Sequence, residues 1–571
     1  MAEYRTVNTE VLIIGGGGAA VRAAIAADDA GARVAVLVKG QIAHSGLTAM
    51  ACPSYQAAGA FEEPEDTVDI AFADVTKEGR YLGDENLIRV LVEEATERAL
   101  EMEQYGVKLT KGKNEQYYQV MHPGQSYARN LVIRGCGYGM MVGLRRELLR
   151  RPNIEAFEDF VATRLLKDGE RIAGTMAMNL RTGEMVAFRA RAVIMATGGY
   201  EEIMEFTDTE PGASGDGTAL ALHIGANMID LEMMLFYPTC LVWPDEVKGT
   251  LVQYEGLLGP RYIAGKMVNG EGNEFLPDTG ERYVLPVRDT MMKAMFKEID
   301  EGRGGPHGGV FIDIRESPHT TEEVFSMLHT LDSLPYTELR DLGVDVTKDM
   351  IEVKPGTHFC LGGIRINERT ESNVPGFFAA GEVAGTVHGA NRTSGNALAE
   401  TQVFGKRAGF YAAQYALGTT DPVLDGEAAS AEVARVKGFL TERSNPIRAT
   451  DLRKRLKRVM QENMSHRRTE QGMTAALEAI RKMRADDLPR VQAVNSLPYA
   501  RELQDSLEIA NMLDVSEAVV VAGLMRTESR GHHFREDYPE LNPEWLQHTI
   551  VREEPDGELV LETAPVIRLK D

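Results

Sequence analysis

VLIIGGGGAAVRAAIAADDAGARVAVLV, residues 11–38, decides the fold. Val11 to Ile14 form a short apolar run of strand type that leads straight into Gly15, Gly16, Gly17 and Gly18. The Ala-rich stretch after them is a strong helix former ending near Gly31, and RVAVLV is a second strand-like run. Strand, glycine turn, helix and strand in that order make the βαβ unit of a dinucleotide-binding domain. Gly15, Gly17 and Ala20 match its G-x-G-x-x-G/A fingerprint. They serve the tight turn, the close approach of backbone to pyrophosphate, and the packing of helix on strand. The helix N-terminus after Gly18 offers unpaired N–H groups and a partial positive charge to the phosphates. The second strand ends at Lys39 rather than at the Asp or Glu expected to hold a ribose hydroxyl, so this unit alone leaves NAD and FAD both open.

Two segments further along favour FAD. AVIMATGGY (Ala192 to Tyr200) and GFFAAGEVAG (Gly376 to Gly385) are each an apolar strand running into a small-residue turn, which lets backbone come close to a ligand. Their wide separation implies an inserted domain. The expected architecture is α/β: a Rossmann-like FAD-binding domain (1–231 and 345–428) interrupted by an α+β capping domain (232–344) and followed by a helical C-terminal domain (429–571). LRKRLKRVMQENM and GMTAALEAIRKM in the last segment carry apolar residues at helical spacing.

Composition removes other classes. The chain has 571 residues and a formal net charge of −24, which argues against nucleic acid as the main ligand, since phosphate backbones need a basic face. No apolar run approaches the roughly 20 residues needed to span a bilayer. The start, MAEYRTVNTE, lacks the basic and apolar regions of a signal peptide, which makes the cytoplasm the default compartment. Cys52, Cys136, Cys240 and Cys360 are scattered with no C-x-x-C pair, so no metal site is expected and any iron–sulfur cluster must sit on another subunit. Each cysteine reads as a small buried hydrophobe.

SGDGTALALHIGA (Ser214 to Ala226), THFCLGGIRIN (Thr357 to Asn367), HGANRTSGNAL (His388 to Leu398) and RTESRGHHFREDYP (Arg526 to Pro539) occur in this order. With them the chain resembles the flavoprotein subunits of succinate dehydrogenase and fumarate reductase, a family that includes L-aspartate oxidase and the adenylylsulfate reductase alpha subunit. The resemblance covers nearly the whole chain. It implies a bound FAD between the nucleotide domain and the cap, with hydride moving between the flavin and a substrate carbon. FAD contacts are implied at Gly15, Gly17, Gly18 and Ala20; at Lys39, Gly40, Ser45, Gly46, Thr48 and Ala49; and at Val161. Others are Ala196, Thr197, Gly198, Asp216, Gly381 and Glu382, with Arg392, Asn396, Ala397 and Leu398 near the ring. In many members a histidine bonds covalently to the flavin. In HSGLTAMA that position is Gly46, so dissociable FAD is expected, with His44 the alternative two residues away.

The resemblance also supplies catalytic roles. His358 and Arg392 match two carboxylate-binding residues, Arg288 matches an arginine assigned to proton transfer, and Arg261 matches a second arginine relaying protons to it. Reducing an activated C=C bond needs such cations, because they bind and polarise carboxylates, and an arginine fork suits bidentate recognition. His532 and His533, in ESRGHHFRED, read as structural, and His388 could be so.

Departures bear on the substrate. Where the family has F-H-P-T the chain has Phe236, Tyr237, Pro238 and Thr239, so a carboxylate-binding histidine has become Tyr237. An alignment anchored on Arg261 places Leu257 and Leu258 where T-E-G-x-R has its threonine and glutamate; a shift puts Glu255 in the glutamate's role. Leucines neither hydrogen-bond a carboxylate nor pass a proton. The expected activity is therefore FAD-dependent redox chemistry on a C–C bond of a small carboxylate that is not a standard C4 dicarboxylate. The competing readings are an adenylylsulfate-reductase-like subunit working with a separate iron–sulfur subunit, and an electron-transfer flavoprotein with a decayed pocket.

Overall fold

The computed structural model describes residues 4–59, 61, 63–112, 115–259, 263–278, 285–331, 334–494 and 499–569. Val11–Ile14 and Val34–Val38 are buried along their whole lengths, which fits the unbroken apolar runs of a parallel sheet covered on both faces. That sheet has five parallel strands in the order Phe377–Ala379, Ala192–Met195, Val11–Ile14, Val34–Val38, Ile154–Glu158. The two segments with the small-residue turns thus lie beside the glycine strand, and all three turns emerge at the same edge. A second, four-stranded sheet joins Arg5–Asn8, Met185–Arg189, Arg171–Asn179 and Phe160–Asp168.

The helix Gly18–Asp29 packs on the long helix Asn396–Leu417. Gly405 and Gly409 permit the approach: a Cβ at Gly409 would stand 2.1 Å from the Ala23 carbonyl oxygen, and one at Gly405 would stand 2.8 Å from that of Ala19.

In the cap, Met234–Leu241, Ile351–Cys360, Val310–Asp313 and Lys266–Val268 form an antiparallel sheet around a separate apolar cluster. Ile351–Cys360 falls on the FAD-domain side of the division read at 344/345, yet it is one of the two inner strands of the cap sheet. Its bulged pairing with Met234–Leu241 accommodates Pro355 and Gly356, and the chain leaves the sheet only at Leu361.

Helices Ala449–Met464, Glu470–Lys482 and Arg501–Met525 build the C-terminal bundle. It is not helical throughout. Gln547–Glu553 and Leu559–Pro565 form a hairpin whose first strand pairs with Met228–Ile229, fastening the C-terminus onto the nucleotide domain. The segment holding His532 and His533 is irregular. Arg526 ahead of it is fully buried among Asp230, Glu232 and Glu528, and its ion pairs with the first two tie the C-terminal segment to residues 230–232. His532 Nδ1 accepts from the Phe236 N–H at 3.3 Å and His533 lies against Arg468, both structural placements. No helix among the described residues is long and apolar enough to cross a membrane.

Candidate active site

One cavity of about 880 Å³ runs from the glycine turn to the cap. At its nucleotide end lie Gly15, Gly17 and Gly18. Gly15 has φ +133°, and a Cβ there would stand 2.0 Å from the Ala196 carbonyl oxygen, so only glycine lets these strands meet. The Gly18 N–H donates to Thr48 Oγ1 at 3.1 Å. Lys39, Gly40, Ser45 and Gly46 form one wall; Val161, Ala196, Thr197 and Gly198 another; Gly381, Glu382, Ala397 and Leu398 a third. Ala20 and Asn396 are fully buried and, with Ala49, stand behind the lining.

Lys39, at the place of the expected ribose-binding acid, is an ion-pair hub. Its Nζ lies 2.8 Å from Asp216 and 2.9 Å from Glu508, and it donates to Ser214 Oγ at 3.1 Å. Burial opposes its charge, but the two carboxylates prevail and hold the ammonium above its ordinary range. Gly46, at the position of the family's flavin-linking histidine, faces the cavity with φ +100°. His44 is exposed and turns to Tyr138, with the ring centroids 6.2 Å apart.

The cap end gathers Tyr237, Arg288, His358 and Arg392. His358 accepts from Arg392 at Nε2, 3.2 Å away, which leaves Nδ1–H to donate to Asp208 at 2.8 Å. Burial and the Arg392 and Arg288 charges hold its pKa below the usual histidine value despite Asp208, so it is a neutral, oriented imidazole. Arg392 stacks over Phe359 at 4.5 Å. Burial and the Arg288 charge bring its guanidinium down to about 9, and its Nε is buried without a partner. An anion arriving here would relieve both costs.

Arg288 opens the helix Arg288–Asp300. It donates to Ser394 Oγ at 2.5 Å, lies 4.8 Å over the Tyr237 ring, and has Glu255 Oε1 at 3.7 Å. Burial works against its charge, yet Glu255 and the surrounding tyrosines hold its pKa above the ordinary arginine range.

Glu255 corrects the reading of the cap. It lines the cavity, accepts from the Tyr237 hydroxyl at 2.8 Å and from Ser394 Oγ at 3.3 Å, and has His122 Nδ1 at 3.6 Å. Leu257 is fully buried in the cap core and Leu258 lines a separate shallow depression, so neither leucine faces the cavity. Tyr254–Leu258 is a single helical turn: residue 257, two positions on from 255, points to the opposite side, and residue 258, at the end of the turn, packs in the cap's apolar cluster. Arg261 lies outside the described residues.

Sequence reasoning missed Asp208, which carries no motif, and Ser394, which sits inside HGANRTSGNAL. His122, at the head of HPGQSYARN, was missed as well; its Nε2 pairs with Ser54 Oγ at 2.8 Å. Cys240 and Cys360 are buried as expected, whereas Cys52 and Cys136 are half-buried and line the cavity.

The cavity suits FAD: a glycine cradle that side chains would fill, a helix N-terminus, and the buried, unpartnered Thr197 Oγ1 beside it. Comparison with known proteins agrees. Residues 10–398 match the FAD binding domain family and residues 453–569 match the fumarate reductase flavoprotein C-terminal family. One subunit of the fumarate reductase (CoM/CoB) of Methanothermobacter marburgensis is 35% identical over 98% of this chain and 100% of its own. The succinate dehydrogenase flavoprotein subunit of Rickettsia bellii is 31% identical over 98% of this chain and 95% of its own. The structure of Mycobacterium smegmatis Sdh1 in complex with UQ1 superposes with a TM-score of 0.88 at 31% identity, covering 99% of this chain and 95% of that one. The glycine turn, the cavity and these likenesses together make the chain a member of the fumarate reductase and succinate dehydrogenase flavoprotein family of FAD-dependent oxidoreductases.

Proposed function

We propose that this flavoprotein oxidises or reduces the C–C bond next to a carboxylate, and that its best substrate carries one carboxylate and an apolar or aromatic remainder. The observation that supports this most is the convergence of Arg392, neutral His358 and Arg288 on the cavity that also holds the glycine cradle. FAD bound there supplies hydride exchange with the substrate carbon.

Arg392 and His358 would take the carboxylate and withdraw charge from the adjacent double bond. Arg288 would deliver the proton. Its high pKa does not forbid this, because a carbanion beside a carboxylate is a far stronger base than a neutral guanidine. Glu255 would hold Arg288 in place and stabilise the returning charge, and His122, paired with Ser54, stands where a proton could re-enter. Among the described residues no cysteine cluster could hold iron and sulfur, so electrons would come from a separate iron–sulfur or other electron-transfer subunit.

Recovery of Glu255 removes one reason to disfavour dicarboxylates, and the exchange of histidine for Tyr237 keeps the other. Tyr237 commits its hydroxyl to Glu255 and offers a ring face where a second carboxylate would need donors. Losing hydrogen bonds to a charged group costs about 1.5 to 3 kcal/mol each. Steady-state assays with a dicarboxylate and a matched monocarboxylate series test the reading. Turnover of fumarate or succinate with kcat/KM above about 10⁴ M⁻¹s⁻¹ would refute the preference.

A further inference from the structure

Beside the nucleotide end of the cavity two carboxyl groups meet without a cation. Glu201, in the short turn after Ala192–Met195, is fully buried, while Glu382, in the turn after Phe377–Ala379, lines the cavity. Both accept from one backbone N–H: that of Cys360 lies 3.1 Å from Glu201 Oε1 and 2.9 Å from Glu382 Oε1. Carboxylate oxygens of the two acids and the Cys360 sulfur all lie within 4.8 Å of one another, and Glu201 Oε2 is buried without a partner. Among the described residues neither acid forms an ion pair. The ionisable groups facing them are Tyr200, Asp208, Cys360 and Glu400, with Arg392 the cation that feels Glu382.

A single N–H does not compensate two anions so close together. Two carboxyl groups at hydrogen-bonding range keep one proton between them, because both ionising would leave like charges in contact. We propose that Glu201 is a positioning residue that shares one proton with Glu382, so that the pair sets one negative charge rather than two beside bound FAD. A dinucleotide brings two phosphate charges, and holding the pair to one charge limits the repulsion, while its free oxygens can still accept from the cofactor's hydroxyls. Burial raises both carboxyls, and proximity to Glu201 raises Glu382 further. The family resemblance gives Glu382 a place near the cofactor and gives Glu201 none.

Losing the shared proton at high pH would add a charge beside the cofactor and weaken its binding. With one proton involved, the dissociation constant rises by up to about tenfold per pH unit. In Glu201→Gln the amide donates to an ionised Glu382, so no shared proton remains to be lost. The test measures the FAD dissociation constant, from the fluorescence of flavin released by the holoenzyme, between about pH 6.5 and 10 for both proteins. Infrared spectra of the native holoenzyme at pH 7 and pH 10 accompany it. The proposal expects a neutral-carboxyl band at pH 7 that fades with rising pH, and an affinity that falls in the wild type but stays level in Glu201→Gln. Identical pH profiles for the two proteins overturn it. Should the variant fail to fold, the native spectrum decides alone: absence of the neutral-carboxyl band overturns the proposal. So does a stoichiometric metal ion that survives dialysis, since a cation on Glu201, Cys360 and Glu382 would replace the proton.

Discussion

Glu255→Gln is nearly isosteric and removes one charge, which makes it the sharpest probe of the cap end. Glu255 accepts from Tyr237 and Ser394 and faces Arg288 at 3.7 Å and His122 at 3.6 Å. Burial disfavours its ionisation, yet His122 and the Arg288 guanidinium prevail and draw its pKa from 4.5 down to about 2. At about 1.4 kcal/mol per unit that shift corresponds to roughly 3 kcal/mol of stability. The sign follows from its direction. A carboxyl depressed in the folded state stabilises fully above its unfolded value near 4.5, and the contribution fades as pH falls toward about 2. Removing the charge leaves buried Arg288 without its counter-charge, so this same ~3 kcal/mol is what the variant loses at neutral pH. Urea unfolding of the holoenzyme should therefore show the variant less stable at pH 7 by about that amount, with the gap shrinking as pH falls from about 4.5 and closing near about 2. Turnover should fall by about 10² to 10⁴, the range for general acid–base groups, with KM little changed if, as proposed, Arg392 and His358 take the carboxylate. Stopped-flow oxidation of the reduced flavin reads this directly. A variant with wild-type turnover, or a stability gap unchanged down to pH 3, would refute the pairing of Glu255 with Arg288.

Arg288→Lys keeps the charge but loses the planar fork, so turnover should drop by at least about 10² at unchanged flavin content; near wild-type rates would return Arg288 to a purely structural pairing. FAD is expected to leave the protein on acid precipitation, because Gly46 faces the cavity and His44 points to Tyr138; yellow flavin retained on the denatured chain would identify a covalent bond. The Arg392 guanidinium, brought down to about 9, should bind the substrate carboxylate below that pH and release it above. A KM flat from pH 7 to 10 would assign carboxylate binding elsewhere.

How legible the molecule is in its sequence depends on how local each feature is. The βαβ unit is local: Val11–Ile14, Gly15 and Val34–Val38 declare themselves by period and by glycine. The cap strand Ile351–Cys360 does not, because Pro355 and Gly356 read as a turn unless the partner strand's bulge is known. The terminal hairpin was hidden in the same way, since its strands alternate but follow a long helical run, and what selects sheet is a partner, Met228–Ile229, far back in the chain.

Within the site the limit was sharper. Choosing between Glu255 and Leu258 required knowing which of two residues one helical turn apart reaches Arg288, and a three-residue shift in alignment reverses the chemistry from an inert wall to an ionised one. Asp208 and Ser394 belong to the site only because four chain segments, around residues 208, 288, 358 and 392–394, fold together. Sequence motifs mark residues that carry a conformational demand of their own, such as glycine at φ +133° or a histidine in a strand. The groups that tune those residues carry no such demand. Asp208 orients the imidazole, Glu255 holds the guanidinium and Glu201 faces Glu382, and each needs only to be an acid at the right distance. In this chain the surroundings of the site are therefore set by acids that the fold, and not a local motif, brings to His358, Arg288 and Glu382.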